Sequence, residues 1–153
     1  MAITAKARAT THLEGTTNLD VQTMMQLLKE TSSTVKGGGK SLLTTGLWNI
    51  GAHINIVSSN ATTIQFTLTS GKDLVELCAF KATMSAKSSG KTFIRVGGLD
   101  TYKTTQQKMY GLIPAGPKMI HGMDPYKRFL EAVQQEILTK DSSAQLIIKQ
   151  DQV

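Results

Sequence analysis

Apolar residues along the chain follow two periods. Val21, Met24, Met25 and Leu28 fall at i, i+3, i+4 and i+7, which puts them on one face of a helix, with Asn18 or Asp20 placed to cap it. This helix is expected to reach about Glu30, to weaken through Thr31, Ser32, Ser33 and Thr34, and to end at Gly37-Gly38-Gly39. A second stripe, Tyr126, Phe129, Leu130, Val133 and Ile137, predicts a helix with Asp124 as cap and Pro125 in the first position, ending near Thr139 to Asp141.

Between the helices the period drops to two. Trp48, Ile50, Ala52, Ile54 and Ile56 alternate with Asn49, Gly51, His53 and Asn55, the pattern of a half-buried strand. Ser58-Ser59-Asn60 turns the chain into a second strand carrying Ile64, Phe66 and Leu68. Residues 74–84 are apolar on both faces in their first half, which places them centrally in a sheet. Thr92 to Val96 follows, then a mostly polar alternation over 101–110 that belongs at an edge or beside water. Ala5 to Leu13 is a weaker strand candidate. The tail from Ser142 either adds a strand at Leu146, Ile147 and Ile148 or stays mobile, as do residues 1–4.

Strands joined by short turns are antiparallel. The expected fold is therefore α+β: one domain over 1–153, with a curved antiparallel sheet of about five or six strands and two helices packed on one face. The 153 residues, 40% of them apolar, are enough for one domain with a real core. A single cysteine, Cys78, excludes an internal disulfide. Without an apolar run behind Lys6 and Arg8, and without any stretch long enough to span a bilayer, the expectation is a cytoplasmic protein with no membrane partner. Asn60-Ala61-Thr62 matches a glycosylation acceptor, idle in that compartment.

Charge changes the picture. Residues 1–76 hold six basic and five acidic side chains, whereas 77–153 hold eleven and six. Most of the excess lies in Lys81, Lys87, Lys91, Arg95, Lys103, Lys108 and Lys118, opposed within that segment by Asp100 alone. Such a cluster attracts phosphate or an acidic surface, although lysines on exposed strands also discourage aggregation.

Catalytic and metal chemistry find little support. Gly37-Gly38-Gly39-Lys40-Ser41 lacks the glycine at position 34 that a P-loop needs, and a helix rather than a strand precedes it. His12, His53 and His121 show no metal-ligand spacing; His121, beside Lys118 and Asp124, is the one to watch for proton transfer. No Gly-x-Ser-x-Gly elbow appears. Cys78 sits among apolar neighbours, as a buried structural cysteine does. The seven methionines fit gap-filling in a core with few aromatics.

Residues 111–122, with two prolines and three glycines, read as a rigid crossover that docks the last helix or rims a pocket. Arg95, Gly98, Tyr102 and Thr105, then Ile113-Pro114-Ala115-Gly116-Pro117-Lys118, then Gly122, Tyr126, Phe129 and Leu130, resemble small actinobacterial proteins with an Ile-Pro-x-Gly-Pro-Lys loop before a final helix. That resemblance implies no activity, cofactor or site. The order of elements is similar to helix-grip (Bet v 1-like) domains, which implies an apolar ligand held between sheet and C-terminal helix, although the final helix is short for that fold.

The leading expectation is a non-catalytic binding or interaction module without a cofactor or metal, monomeric or homodimeric. Its apolar groove would be lined by Met24, Leu28, Trp48, Phe66, Phe80, Tyr126, Phe129 and Val133, for a small apolar ligand or a protein partner. The alternative is phosphate or nucleic-acid binding by Lys91, Arg95, Tyr102, Lys103, Lys108, Tyr110 and Lys118, the tyrosines serving as stacking platforms.

Overall fold

A computed structural model describes residues 5–34, 53–69, 76–87, 90–109, 113–120 and 122–150. In chain order they form α1 (Ala5–Ala9), β1 (His12–Thr17), α2 (Val21–Thr34), β2 (His53–Ser59), β3 (Thr63–Thr69), β4 (Glu76–Ala86), β5 (Thr92–Gly97), β6 (Thr101–Tyr102), β7 (Thr104–Met109), β8 (Ile113–Ile120), α3 (Met123–Lys140) and β9 (Gln145–Lys149). The class is α+β, as the periodicity predicts. One open antiparallel sheet has the order β2-β3-β4-β5-β1-β9, with β6 added alongside β4, while β7 and β8 form a separate ribbon. Strand β4 lies between β3 and β5, in the central place its two-sided apolar pattern requires.

Alternation decides which face is which. Leu13 stands opposite Val96, Val96 opposite Ala82 and Ala82 opposite Ile64, so one row of apolar side chains crosses four strands. Phe66, Leu68, Phe80 and Ile94 lie on the same face and meet Met24 and Leu28 of α2 and Tyr126, Phe129, Leu130, Val133 and Ile137 of α3. The aromatic rings pack on one another: Phe66–Phe80 at 5.2 Å, Phe80–Tyr126 at 4.9 Å and Phe66–Phe129 at 5.4 Å between centroids. Each such burial stabilises by roughly 1.5–3 kcal/mol. The opposite face carries Gln65, Thr67, Lys81, Thr83 and Arg95 and has no helix over it from α2 or α3.

Local chemistry sets most boundaries. Asp20 caps α2, its Oδ1 accepting the Thr23 N–H at 2.7 Å. Asn60 closes the β2–β3 turn by accepting the N–H groups of Thr62 and Thr63, both at 2.9 Å. Elsewhere the structure departs from the pattern. Ala5 to Ala9 is a helical turn rather than part of a strand, consistent with the high helix propensity of Ala-Lys-Ala-Arg-Ala. Helix α2 continues past Glu30 to Thr34. Helix α3 begins at Met123, with Gly122 rather than Asp124 at the N-cap, in a left-handed conformation (φ 79°) open to glycine.

The proline-containing crossover is a strand, β8, tolerated because it pairs with β7 alone in a two-stranded ribbon where a missing N–H can face outward. The tail takes the strand alternative: β9 pairs with β1, Ile148 opposite Leu13. Residues 48–52 of the expected first sheet strand lie outside the described residues, so that strand is described from His53.

Asp141 joins the two ends of this topology. It ends α3, its own N–H bonding the Ile137 carbonyl at 2.7 Å, and its Oδ2 accepts both the Thr17 hydroxyl and the Asn18 N–H at 2.7 Å. The Ser143 hydroxyl at 2.6 Å, then Asn18 and Thr17, hold its carboxyl far below the usual range. The folded-state value is lowered, so this stabilisation is complete above about pH 4, the unfolded value, and is lost as pH falls toward the folded one. Asp141→Asn is therefore expected to be less stable than wild type at neutral pH and to show a shallower loss of melting temperature in acid, as differential scanning calorimetry at several pH values can read.

Candidate functional site

The feature that organises the outer face is an interruption of β5. From Ala82 to Cys78 strand β4 advances four residues, while the chain opposite, Val96 to Tyr102, advances six. The two extra residues form a kink at Gly97-Gly98-Leu99-Asp100. Its backbone donors are satisfied: Gly98 N–H bonds Thr11 O at 3.1 Å, Leu99 N–H bonds Ala9 O at 2.7 Å, and Asp100 N–H bonds Ala79 O at 2.8 Å.

Tyr126 clamps the kink from the core side. Its hydroxyl accepts the Gly98 N–H at 2.8 Å and donates to the Thr11 carbonyl. Burial pushes the phenol pKa well above its usual value, so it stays a donor. Gly97 has φ 104°, and a Cβ there would stand 2.1 Å from the Tyr126 oxygen. Only glycine admits both the backbone conformation and the tyrosine.

On the outer side the kink opens a cleft of about 420 Å³. Lys81 of β4, Arg95 of β5, Asp100 and Tyr102 line it, with Ala9, Thr10 and Gly97 to Leu99 completing the wall. Arg95 extends across it: one guanidinium nitrogen lies 3.5 Å from where a Gly98 Cβ would be, and the other is 3.9 Å from the Glu14 carboxylate. Lys149 also bonds Glu14, and that contact comes first in holding the Glu14 carboxyl below its usual range. Two further clefts gather less positive charge. One, beside β1, β9 and Leu138, has Glu14 as its charged group; the other, between α2 and the end of α3, has Glu30 and Lys140.

Behind the cleft, on the outer face of β1, lies His12, which is fully buried. Its Nδ1 is 2.6 Å from the Thr10 carbonyl and must donate to it. Its Nε2 has no hydrogen-bond partner among the described residues, although Glu14 Oε2 stands 3.4 Å away. His12 is the residue the sequence reasoning passed over; the available signal was that His12 and Glu14, two apart in a strand, share a face.

Of the groove candidates, Met24, Leu28, Phe66, Phe80, Tyr126, Phe129 and Val133 are brought together, but as mutually packed interior residues, and none lines one of the three clefts. Trp48 lies outside the described residues. The basic candidates are only partly assembled. Arg95 and Tyr102 share the cleft, with Lys81 joining them. Tyr102 is half-buried and packs against the core, so only part of its ring is available for stacking. Lys103 is exposed next to Tyr102, whereas Lys91 stands six residues before Gly97, about 20 Å along the strand at roughly 3.3 Å per residue. Lys87 lies over the Phe93 ring at 5.0 Å. Lys108 and Lys118 belong to β7 and β8, apart from the main sheet, and Tyr110 and His121 lie outside the described residues. His53 is half-buried opposite Thr69. Burial first, then the Glu76 charge, pushes the Cys78 thiol up to about 12, so it is not a nucleophile at neutral pH. No group of three or more metal-ligating side chains occurs among the described residues.

Removing the clamp hydroxyl with Tyr126→Phe is expected to cost about 1–2 kcal/mol by urea unfolding, the usual penalty for a lost buried hydrogen bond. Gly97→Ala should cost more, roughly 2–4 kcal/mol, and the double variant less than the sum, because the alanine methyl and the hydroxyl compete for one space.

No helix among the described residues is long and apolar enough to cross a membrane. No known protein-family model, curated protein or solved structure matches the chain.

Proposed function

We propose that the protein is a non-catalytic binding module that takes a compact anion, a phosphate-type group, in the cleft at the β5 kink. The observation that carries this reading is the convergence of Lys81 and Arg95, from neighbouring strands, on a cleft that Gly97 and Gly98 help to line. Two cations face one carboxylate, Asp100, so the field there is positive. The Lys81 side chain is exposed and makes no hydrogen bond or ion pair among the described residues, so its ammonium is available to a ligand. Arg95 supplies a planar fork suited to two oxygens of one phosphate. The N–H groups of Gly98, Leu99 and Asp100 are used within the fold, so recognition falls to the side chains.

A small apolar ligand between sheet and helices has less to support it. The residues expected to line that groove fill the interior with ring-on-ring contacts instead. An extended nucleic-acid track is likewise less favoured than one anion, since Lys91 is remote from the cleft and Tyr102 is partly covered.

Equilibrium dialysis with inorganic phosphate at low salt tests the proposal. Wild type should bind with a dissociation constant of roughly 1 mM, weakening as salt rises. Lys81→Glu should lower affinity at least about tenfold while leaving stability within about 0.5 kcal/mol, as expected of an exposed site. If Lys81→Glu is neutral and Lys103→Glu/Lys108→Glu instead abolishes binding of a single-stranded oligonucleotide, the basic segment acts as a nucleic-acid face. Absence of any phosphate binding at low salt contradicts the anion site.

A further inference from the structure

The cleft has a buried titratable neighbour that its anion-binding role leaves unexplained. His12 lies behind it, opposite Lys149 on β9 and opposite Gly97 on β5, the latter lining the cleft together with Lys81 of β4. Glu14 and Arg95 flank it on the same outer face, and Asp100 and Tyr102 stand on the far side of the cleft. With Nδ1–H committed to the Thr10 carbonyl, Nε2 of the neutral ring can only present a lone pair, and it does so toward a carboxylate 3.4 Å away. A buried nitrogen facing an anion without a proton between them is an unfavourable arrangement. One added proton converts it into a charge-assisted hydrogen bond.

The oxygen that would accept this bond is shared. Glu14 Oε2 is the atom 3.4 Å from His12 Nε2 and also the atom 3.9 Å from the Arg95 guanidinium. Its partner oxygen, Oε1, is held by Lys149, so the carboxylate is tethered at one end while the other sits between two cations. We propose that His12 is a proton-linked gate on the anion cleft: when Nε2 gains a proton it takes the Glu14 oxygen, weakens the Glu14–Arg95 pair, and lets Arg95 turn its charge to the bound anion. This inference rests on the cleft being an anion site. By linkage it works in both directions: the anion is bound more tightly at lower pH, and its binding draws one proton onto His12.

Sulfate is the probe, because unlike phosphate it does not itself titrate near neutral pH. The full-length protein is titrated with sulfate at constant ionic strength, and the His12 ring is followed by NMR with His53 as internal control. Sulfate affinity should be roughly tenfold tighter at about pH 5.5 than at about pH 8, and at fixed pH saturating sulfate should move the His12 ring resonances in the direction of added charge while leaving those of His53 in place. Glu14→Gln removes the shared carboxylate and should still bind sulfate, but with affinity flat across this pH range. His12→Gln, if it folds, should behave the same way. Sulfate binding that is equal at both pH values in wild type, or a pH dependence that survives in Glu14→Gln, overturns the gate and leaves the anion site standing. No sulfate binding at either pH overturns the anion site and the gate with it.

Discussion

The Tyr126 hydroxyl is the contact on which the outer face depends. It comes from the first turn of α3 on the core side, yet it reaches through the sheet's end to the Thr11 carbonyl and the Gly98 N–H. Those two groups belong to the beginning of β1 and the end of β5, so one side chain fixes the last helix, the first strand and the kink together. Gly97 makes this possible by leaving the oxygen room. A side chain at Gly97 would run into that oxygen and force the helix, the strand or the kink to shift.

This arrangement divides the sheet by function. The covered face is filled by interlocking aromatic and branched aliphatic side chains, and its stability comes from area removed from water. The other face carries threonines, glutamine and a short series of charges. Within that series Glu14 is bonded by Lys149 and approached by both Arg95 and His12. A carboxylate so placed sets how much of the Arg95 charge reaches the cleft, which is why a buried histidine on β1 bears on a surface site that begins on the neighbouring strand.

Much of the scaffold was legible in the sequence. Period-two runs located β2 and β3, a two-sided apolar segment located β4, the 3.6-residue stripes located α2 and α3, and of the two cap candidates, Asn18 and Asp20, the structure uses Asp20. These signals are local and rest on burial of one face. What escaped depends on contacts distant in the chain. His12 and Glu14 gain their meaning from Arg95 and Lys149, more than eighty residues away along the chain. Gly97-Gly98 stands in the sequence between two extended runs, and only the pairing of β6 with the same β4 shows that it belongs to a two-residue interruption. Pro114 and Pro117 read as a loop because a proline in a ladder is costly, a rule that the isolated β7–β8 ribbon relaxes. The basic segment read as one patch because charge along a sequence carries no face; alternation, the turn at Lys91 and the separate ribbon disperse it, leaving Lys81 and Arg95 together.

Backbone amide NMR of the uniformly labelled protein during a phosphate titration tests the central claim most directly. The account predicts that the largest shift changes fall on Lys81, Arg95 and the kink from Gly97 to Tyr102, with a smaller response at His12 and Glu14 behind it. Changes concentrated instead on the exposed β2 edge at Ile56 and Val57, or between α2 and α3, would contradict it and move the binding surface elsewhere.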